Sequence, residues 1–209
     1  MQVKSNLLLL SLVACLMLLS GCAISTSTID IDTSKLSVSN QHEDSETVYV
    51  RTVVDEREFV EGKTDSSKHA INPIDKKLIG KEPIVIGRKS NPMGIPLSNI
   101  ILPETQNVSM LAKSAIESAL IENGWNVLKN ESEINNRTKI VDVKVLRFWT
   151  WMTPGFWSIT LWADIKSDVP KSPSSNEKVT VEGKYSENFQ TGAESNYRKV
   201  LQEAYDAFE

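Results

Sequence analysis

The chain has 209 residues, with 23 basic and 27 acidic side chains and a formal net charge of −4. That mildly acidic balance excludes a general nucleic-acid binder, which needs a concentrated basic surface. Two cysteines and two histidines in the whole chain leave little material for a disulfide framework or a metal centre.

The chain begins with one basic residue, Lys4, then an uncharged apolar run from Leu7 to Leu19, then Ser20-Gly21-Cys22. A charged start, an apolar centre and small residues at a cleavage point are the parts of a secretory signal, here residues 1–21. The 13-residue run is shorter than the roughly 20 residues needed to cross a ~30 Å hydrocarbon core, so a cleaved signal fits better than a span. Leu19-Ser20-Gly21-Cys22 resembles the lipobox of bacterial lipoproteins. The resemblance implies a diacylglycerol thioether on Cys22, cleavage before it and an acyl chain on the new amino terminus, so that the membrane is a partner through lipid. Ala23 and Ile24 follow, with no Asp at the second position, as in lipoproteins that resemble those released to the outer membrane and facing the periplasm. Cleavage also removes Cys15, so the fold must rest on its apolar core rather than on a disulfide.

Residues 22–46 are rich in Ser, Thr, Asp and Glu and contain no aromatic residue, which predicts a flexible tether holding the domain clear of the bilayer. A single domain is expected over 47–209. Thr47–Val54 has β-strand composition and stops at Asp55-Glu56-Arg57-Glu58. A polar passage to Gly80 reads as an irregular excursion, and Pro83–Arg88 as a short strand. Asn91–Pro96 carries too many backbone breakers for regular structure.

Asn107 is a good N-cap for a helix with Val108, Leu111, Ala112, Ala115, Ile116, Ala119 and Leu120 on one face, stopped by Asn123-Gly124. Trp125–Leu128 reads as a short strand. Lys139–Thr150 and Phe156–Lys166 read as an antiparallel hairpin across Thr153-Pro154-Gly155. Strict alternation along the first arm places Val141, Val143, Val145, Arg147 and Trp149 together, with Leu146 and Phe148 opposite; along the second, Trp157 joins Ile159, Leu161, Ala163 and Ile165. A further strand covers 178–190, with a bend expected at Gly183, and a second amphipathic helix runs from about Ala193 to Phe208. This order predicts an α+β two-layer domain, a mainly antiparallel sheet with two amphipathic helices on one face.

Several short segments resemble the YajG-type envelope lipoproteins. They are the Cys-terminated signal, the opening strand running into Asp55-Glu56-Arg57, Ile86-Gly87-Arg88, the Glu122–Val127 exit from the helix, and the later alternating strands. The resemblance implies an envelope lipoprotein and adds no chemistry. The 55–80 excursion and the tryptophan-rich hairpin depart from it.

Catalytic patterns are sparse. His42 falls in the tether and His69 in the excursion, outside any metal-ligand spacing, and there is no Gly-x-Ser-x-Gly elbow or phosphate loop. Asp55-Glu56-Arg57-Glu58 reads as a solvated turn that blunts a strand end. The chain is therefore expected to be a non-enzyme without cofactor beyond the lipid on Cys22. Four of its five tryptophans lie between Trp149 and Trp162, with Phe148 and Phe156 among them. Phe148, Trp151, Phe156 and Trp162 are the expected contact residues for an envelope protein partner, because exposed apolar area of this kind marks contact surfaces. The function expected is a binding or scaffold domain, with carriage of an amphiphile as the alternative and hydrolysis as a more remote one.

Overall fold

The computed structural model describes residues 25–34, 45–60, 65–71, 78–91, 95–172, 175 and 177–209; the signal segment, Cys22 and His42 lie outside them. Eight strands make one mixed sheet: β1 (Ser27–Thr28), β2 (Thr47–Asp55), β3 (Val85–Ser90), β4 (Pro96–Ile101), β5 (Asn126–Val127), β6 (Lys139–Pro154), β7 (Ile159–Pro170) and β8 (Lys178–Phe189). Helices α1 (Val108–Glu122) and α2 (Glu194–Phe208) pack on one face, so the domain is α+β as its alternation and helix periodicity require. None of the helices among the described residues is long and apolar enough to cross a membrane.

β6 is the spine. One edge pairs antiparallel with β7, which pairs antiparallel with β8. The other edge is shared. β2 runs parallel to the first half of β6, ending with Asp55 opposite Val145; β3 takes over further along, with Gly87 opposite Thr150. β4 folds back antiparallel on β3. This last strand begins at Pro96, inside the stretch expected to be irregular; its Ile100 is fully buried and supplies the stabilisation that local propensity lacks.

The inner core joins Val141, Val143, Val145, Phe148, Leu161, Ala163 and Ile165 of the sheet to the apolar stripes of both helices. Asn107 accepts a bond from the backbone of Met110, and α1 ends with Gly124 at φ +83° and paired bonds Gly124 N–H to Ile121 O and Trp125 N–H to Leu120 O. At Gly183 the reason for glycine is close approach rather than a bend: a Cβ there would stand 2.2 Å from the carbonyl oxygen of Ala204 on α2.

The expected tether is partly built into the domain. Ser27 and Thr28 pair parallel with Ile100 and Ile101, and Ile29 and Ile31 are buried. Gln106 and Gln202 each donate to and accept from the backbone here, Gln106 at Ile31 and Gln202 at Asp32, with distances of 2.8–3.1 Å. Thr28-Ile-Asp-Ile-Asp32 alternates apolar and acidic side chains. That local pattern overrides the polar composition of the surrounding stretch.

Candidate functional site

The aromatic hairpin is rearranged by one β-bulge. Register between β6 and β7 slips between Val145 and Arg147, which places an extra residue on β6 and reverses the side-chain alternation beyond it. Phe148 therefore turns inward and is fully buried in the helix-side core, so it offers no contact surface. Trp149 turns to the outer face instead of continuing the valine row. Trp157 does not join Ile159 in the core either. It sits in the loop Gly155–Ser158, closed by the Gly155 N–H to Ser158 O bond, and is 84% exposed beside Phe156 at 89%.

On the outer face, registers place Arg147, Lys166 and Glu182 in one row across β6, β7 and β8. Trp149, Asp164 and Lys184 form the next, and Trp151, Trp162 and Ser186 the third. Trp151 and Trp162, directly opposed, stack with centroids 6.0 Å apart and planes 9° from parallel. Both are partly buried. The Arg147 guanidinium lies over the Trp151 ring at 5.0 Å and 2.9 Å from Asp164, and donates to the carbonyl of Ser67. Burial raises the Asp164 carboxyl above its ordinary range, while Arg147 and Lys184 pull it back.

The upstream part of this face is covered by residues 56–60 and 65–71. Trp149 is fully buried there and donates from Nε1 to Ser66 O; Phe59 and His69 meet its ring edge-on at centroid distances of 6.1 and 5.1 Å. Arg57 holds this cover down. Its buried guanidinium forms a bidentate pair with Asp55 and donates to the carbonyls of Val85, Phe148 and Glu82 at 2.7–3.1 Å. These carbonyls border the gap on the β6 edge where β2 has ended and β3 has not yet begun. The arginine fork satisfies backbone acceptors that a strand would otherwise pair. Within the expected solvated turn, Arg57 is thus a buried clamp, while Glu56 and Glu58 are exposed as expected.

His69 is buried, with Nδ1 3.3 Å from Glu58 O. Burial first, then the charges of Arg57 and Arg147, lower its pKa to about 4, so it is neutral at pH 7. An open groove of about 430 Å³ beside it is lined by Glu56, Glu58, Val60, Lys68, Leu146 and Arg147. His69 makes no described hydrogen bond to a carboxylate or hydroxyl. Among the described residues no three His, Cys, Asp or Glu side chains gather as metal ligands.

Two of the four expected contact residues, Trp151 and Trp162, share the outer face; Phe156 stands apart at the hairpin tip, and Phe148 is interior. Arg147 and Asp164, which frame the stack, carry no sequence signal until the bulge is known. Elsewhere, an apolar cleft of about 340 Å³ opens between the end of α1 and the β6–β8 sheet, with Ile116, Leu120, Trp125, Val141, Val169 and Val181 in its walls.

No family model matches the chain, and no curated protein matches it in sequence. Solved structures to which the chain is similar include a Xanthomonas campestris protein of the family DUF330, at 10% identity and a TM-score of 0.39, covering 86% of this chain and 85% of that one. An uncharacterised protein aligns at 10% identity and a TM-score of 0.40, over 86% and 92%. A Helicobacter pylori protein described as a neuraminyllactose-binding hemagglutinin homolog aligns at 12% identity and 0.34, over 86% and 87%.

Proposed function

We propose that this chain is a lipid-anchored envelope protein, held through Cys22 on the periplasmic face of the outer membrane, that acts as a non-enzymatic binding or scaffold domain. The address rests on the lipobox-like Leu19–Cys22 segment and on the short YajG-type resemblances. The binding role rests on one observation: the stacked, partly buried Trp151–Trp162 pair on the outer face, framed by Arg147, Asp164 and Lys184. Large rings with charged neighbours are the material of protein contact sites.

Fatty-acid labelling in cells tests the anchor; label on the wild type that disappears in Cys22→Ala is the expected result. Photo-crosslinking from position 186, beside Trp162, tests the binding face. A discrete crosslinked partner that is lost in Trp162→Ala is expected, and equal crosslinking from Glu203 on α2 would sink the assignment of the face. The cleft beside α1 favours a second reading, carriage of a small amphiphile, because its volume lies at the lower end of ligand pockets.

A further inference from the structure

The sheet has two unlike ends. β3 runs parallel to β6 through Gly87 and Thr150, so Ser90 reaches the same end as Thr153 and Pro154. The turn from β3 to β4, closed by Asn91 and Ile95, is therefore at the end of the sheet that carries the Gly155–Ser158 loop. Residue 189, opposite Ile159, brings the connection from β8 to α2 there too. No charged side chain occurs from Asn91 to Pro103, from Phe148 to Ala163, or from Asn188 to Ala193. Phe156 and Trp157, the two most exposed large apolar side chains among the described residues, and the exposed Ile95 lie at this end. Phe156 and Trp157 meet edge-to-face at 4.8 Å. The opposite end carries Lys129, Glu131, Glu133, Arg137 and Lys139 in one connection and Lys171, Glu177 and Lys178 in another.

The amino-terminal segment leads to the same end as the Phe156–Trp157 loop. β1 runs parallel to β4 with Ser27 opposite Ile100, so its upstream side points toward Pro96, which pairs with Ser90. Lys89 holds this start, with Nζ 2.6 Å from Ser27 Oγ and 3.4 Å from Ser25 O. Ser25 is three residues from Cys22, a reach of at most ~10 Å. A lipid on Cys22 thus places this end of the sheet within reach of the headgroups, rather than a tether's length away.

We propose that the Phe156–Trp157 loop, with Ile95, is a membrane-docking tip that enters the headgroup zone of the bilayer in which Cys22 is anchored. The inference rests on the lipid-anchor reading above. Aromatic side chains with a polar edge settle at this depth, ~5–10 Å into the headgroup–acyl boundary, and a tip without charges meets no ionic desolvation penalty there. Docking at two points would fix the orientation of the domain and turn the Trp151–Trp162 face sideways, parallel to the membrane surface.

The test uses protein purified from cells fed a labelled fatty acid and reconstituted in phosphatidylethanolamine–phosphatidylglycerol vesicles carrying nitroxide lipids. The Trp157 signal is the difference between wild type and Trp157→Phe. Expected is quenching of that signal by a nitroxide near the headgroup, more than by one at the chain end, together with protection from aqueous iodide. Label on the protein but no lipid quenching of Trp157 overturns the docking tip and leaves the anchor standing. Protection from iodide without lipid quenching overturns it in favour of a protein contact at the tip. Absence of label overturns the anchor reading and takes the docking inference with it. Phe156→Ser with Trp157→Ser, still labelled and still folded by circular dichroism, is expected to raise iodide access to an introduced probe at position 158; unchanged access counts against docking.

Discussion

Two aromatic groups on the outer side of β6 differ in their cover rather than their chemistry. Trp149 lies beneath residues 56–60 and 65–71, with Phe59 and His69 of that cover against its ring, and it is fully buried as core. Two residues along the strand, Trp151 stacks on Trp162 with both rings partly buried, and beyond them Phe156 and Trp157 stand in the open. Ring content alone does not decide between core and contact surface; the clamp that secures the cover does. That clamp is Arg57, and the sharpest way to break the contrast is to remove it.

Arg57→Met is expected to destabilise the domain by about 3–5 kcal/mol, because it strands Asp55 and three backbone carbonyls in a buried gap. Urea denaturation measures the loss. Arg57→Lys should recover little of it, since a single ammonium cannot reproduce the bidentate pair and the carbonyl contacts together. If Arg57→Met unfolds no earlier than wild type, the covered cluster does not depend on the clamp.

Acid should loosen the same region through His69. The folded pKa of about 4 lies below the ordinary 6.5. Above pH 6.5 both folded and unfolded forms are neutral and the stability is fully present. As pH falls from 6.5 toward 4 the unfolded chain takes up a proton that the folded one refuses. Stability drops across that window by roughly 3 kcal/mol. His69→Gln is expected to flatten this part of the pH–stability curve. A curve of equal slope in the variant would assign the acid sensitivity to other groups.

The hairpin shows what was legible in the sequence and what was not. The apolar stripes of α1 and α2, the Asn107 cap and the Gly124 stop are short-range signals, and they give the helices nearly to the residue. The hairpin and its turn are local too. The bulge after Val145 is set by pairing with β7 and by the Arg57 clamp across the gap, both long-range, so simple alternation put Phe148 and Trp149 on the wrong faces. Residues 25–34 were hidden for a related reason. Their partners Gln106 and Gln202 lie far away in the chain, and only the Ile29–Ile31 alternation hinted at docking. Arg57 looked like part of a charged stop because its acceptors are backbone carbonyls, which leave no trace in side-chain composition.

A smaller loss than that of Arg57→Met is expected at the partly buried stack. Trp162→Ala removes the area this ring buries and, beyond it, a ring pair worth about 0.5–1.5 kcal/mol, so melting falls while crosslinking from position 186 is lost. A shift as large as that of Arg57→Met would place the stack with the covered cluster. Trp151→Ala should behave similarly, with some added loss because Trp151 also packs against the cluster around Trp149.

The smallest change in stability belongs to the tip, and that is what makes it informative. Phe156 and Trp157 touch chiefly each other, so Phe156→Ser with Trp157→Ser should leave the unfolding free energy within about 0.5 kcal/mol of wild type. Side chains that contribute so little to the fold are retained at no structural advantage, and their exposed apolar area favours aggregation unless something covers it. With the lipid proposed on Cys22, the bilayer is the cover that the short reach from Cys22 to Ser25 would put nearest. Chemical denaturation of the double variant should therefore overlay the wild type in detergent-free buffer, while tryptophan quenching in vesicles separates the two. If the double variant instead melts early, Phe156 and Trp157 are holding the hairpin together and the contrast between covered and open rings ends at Trp162.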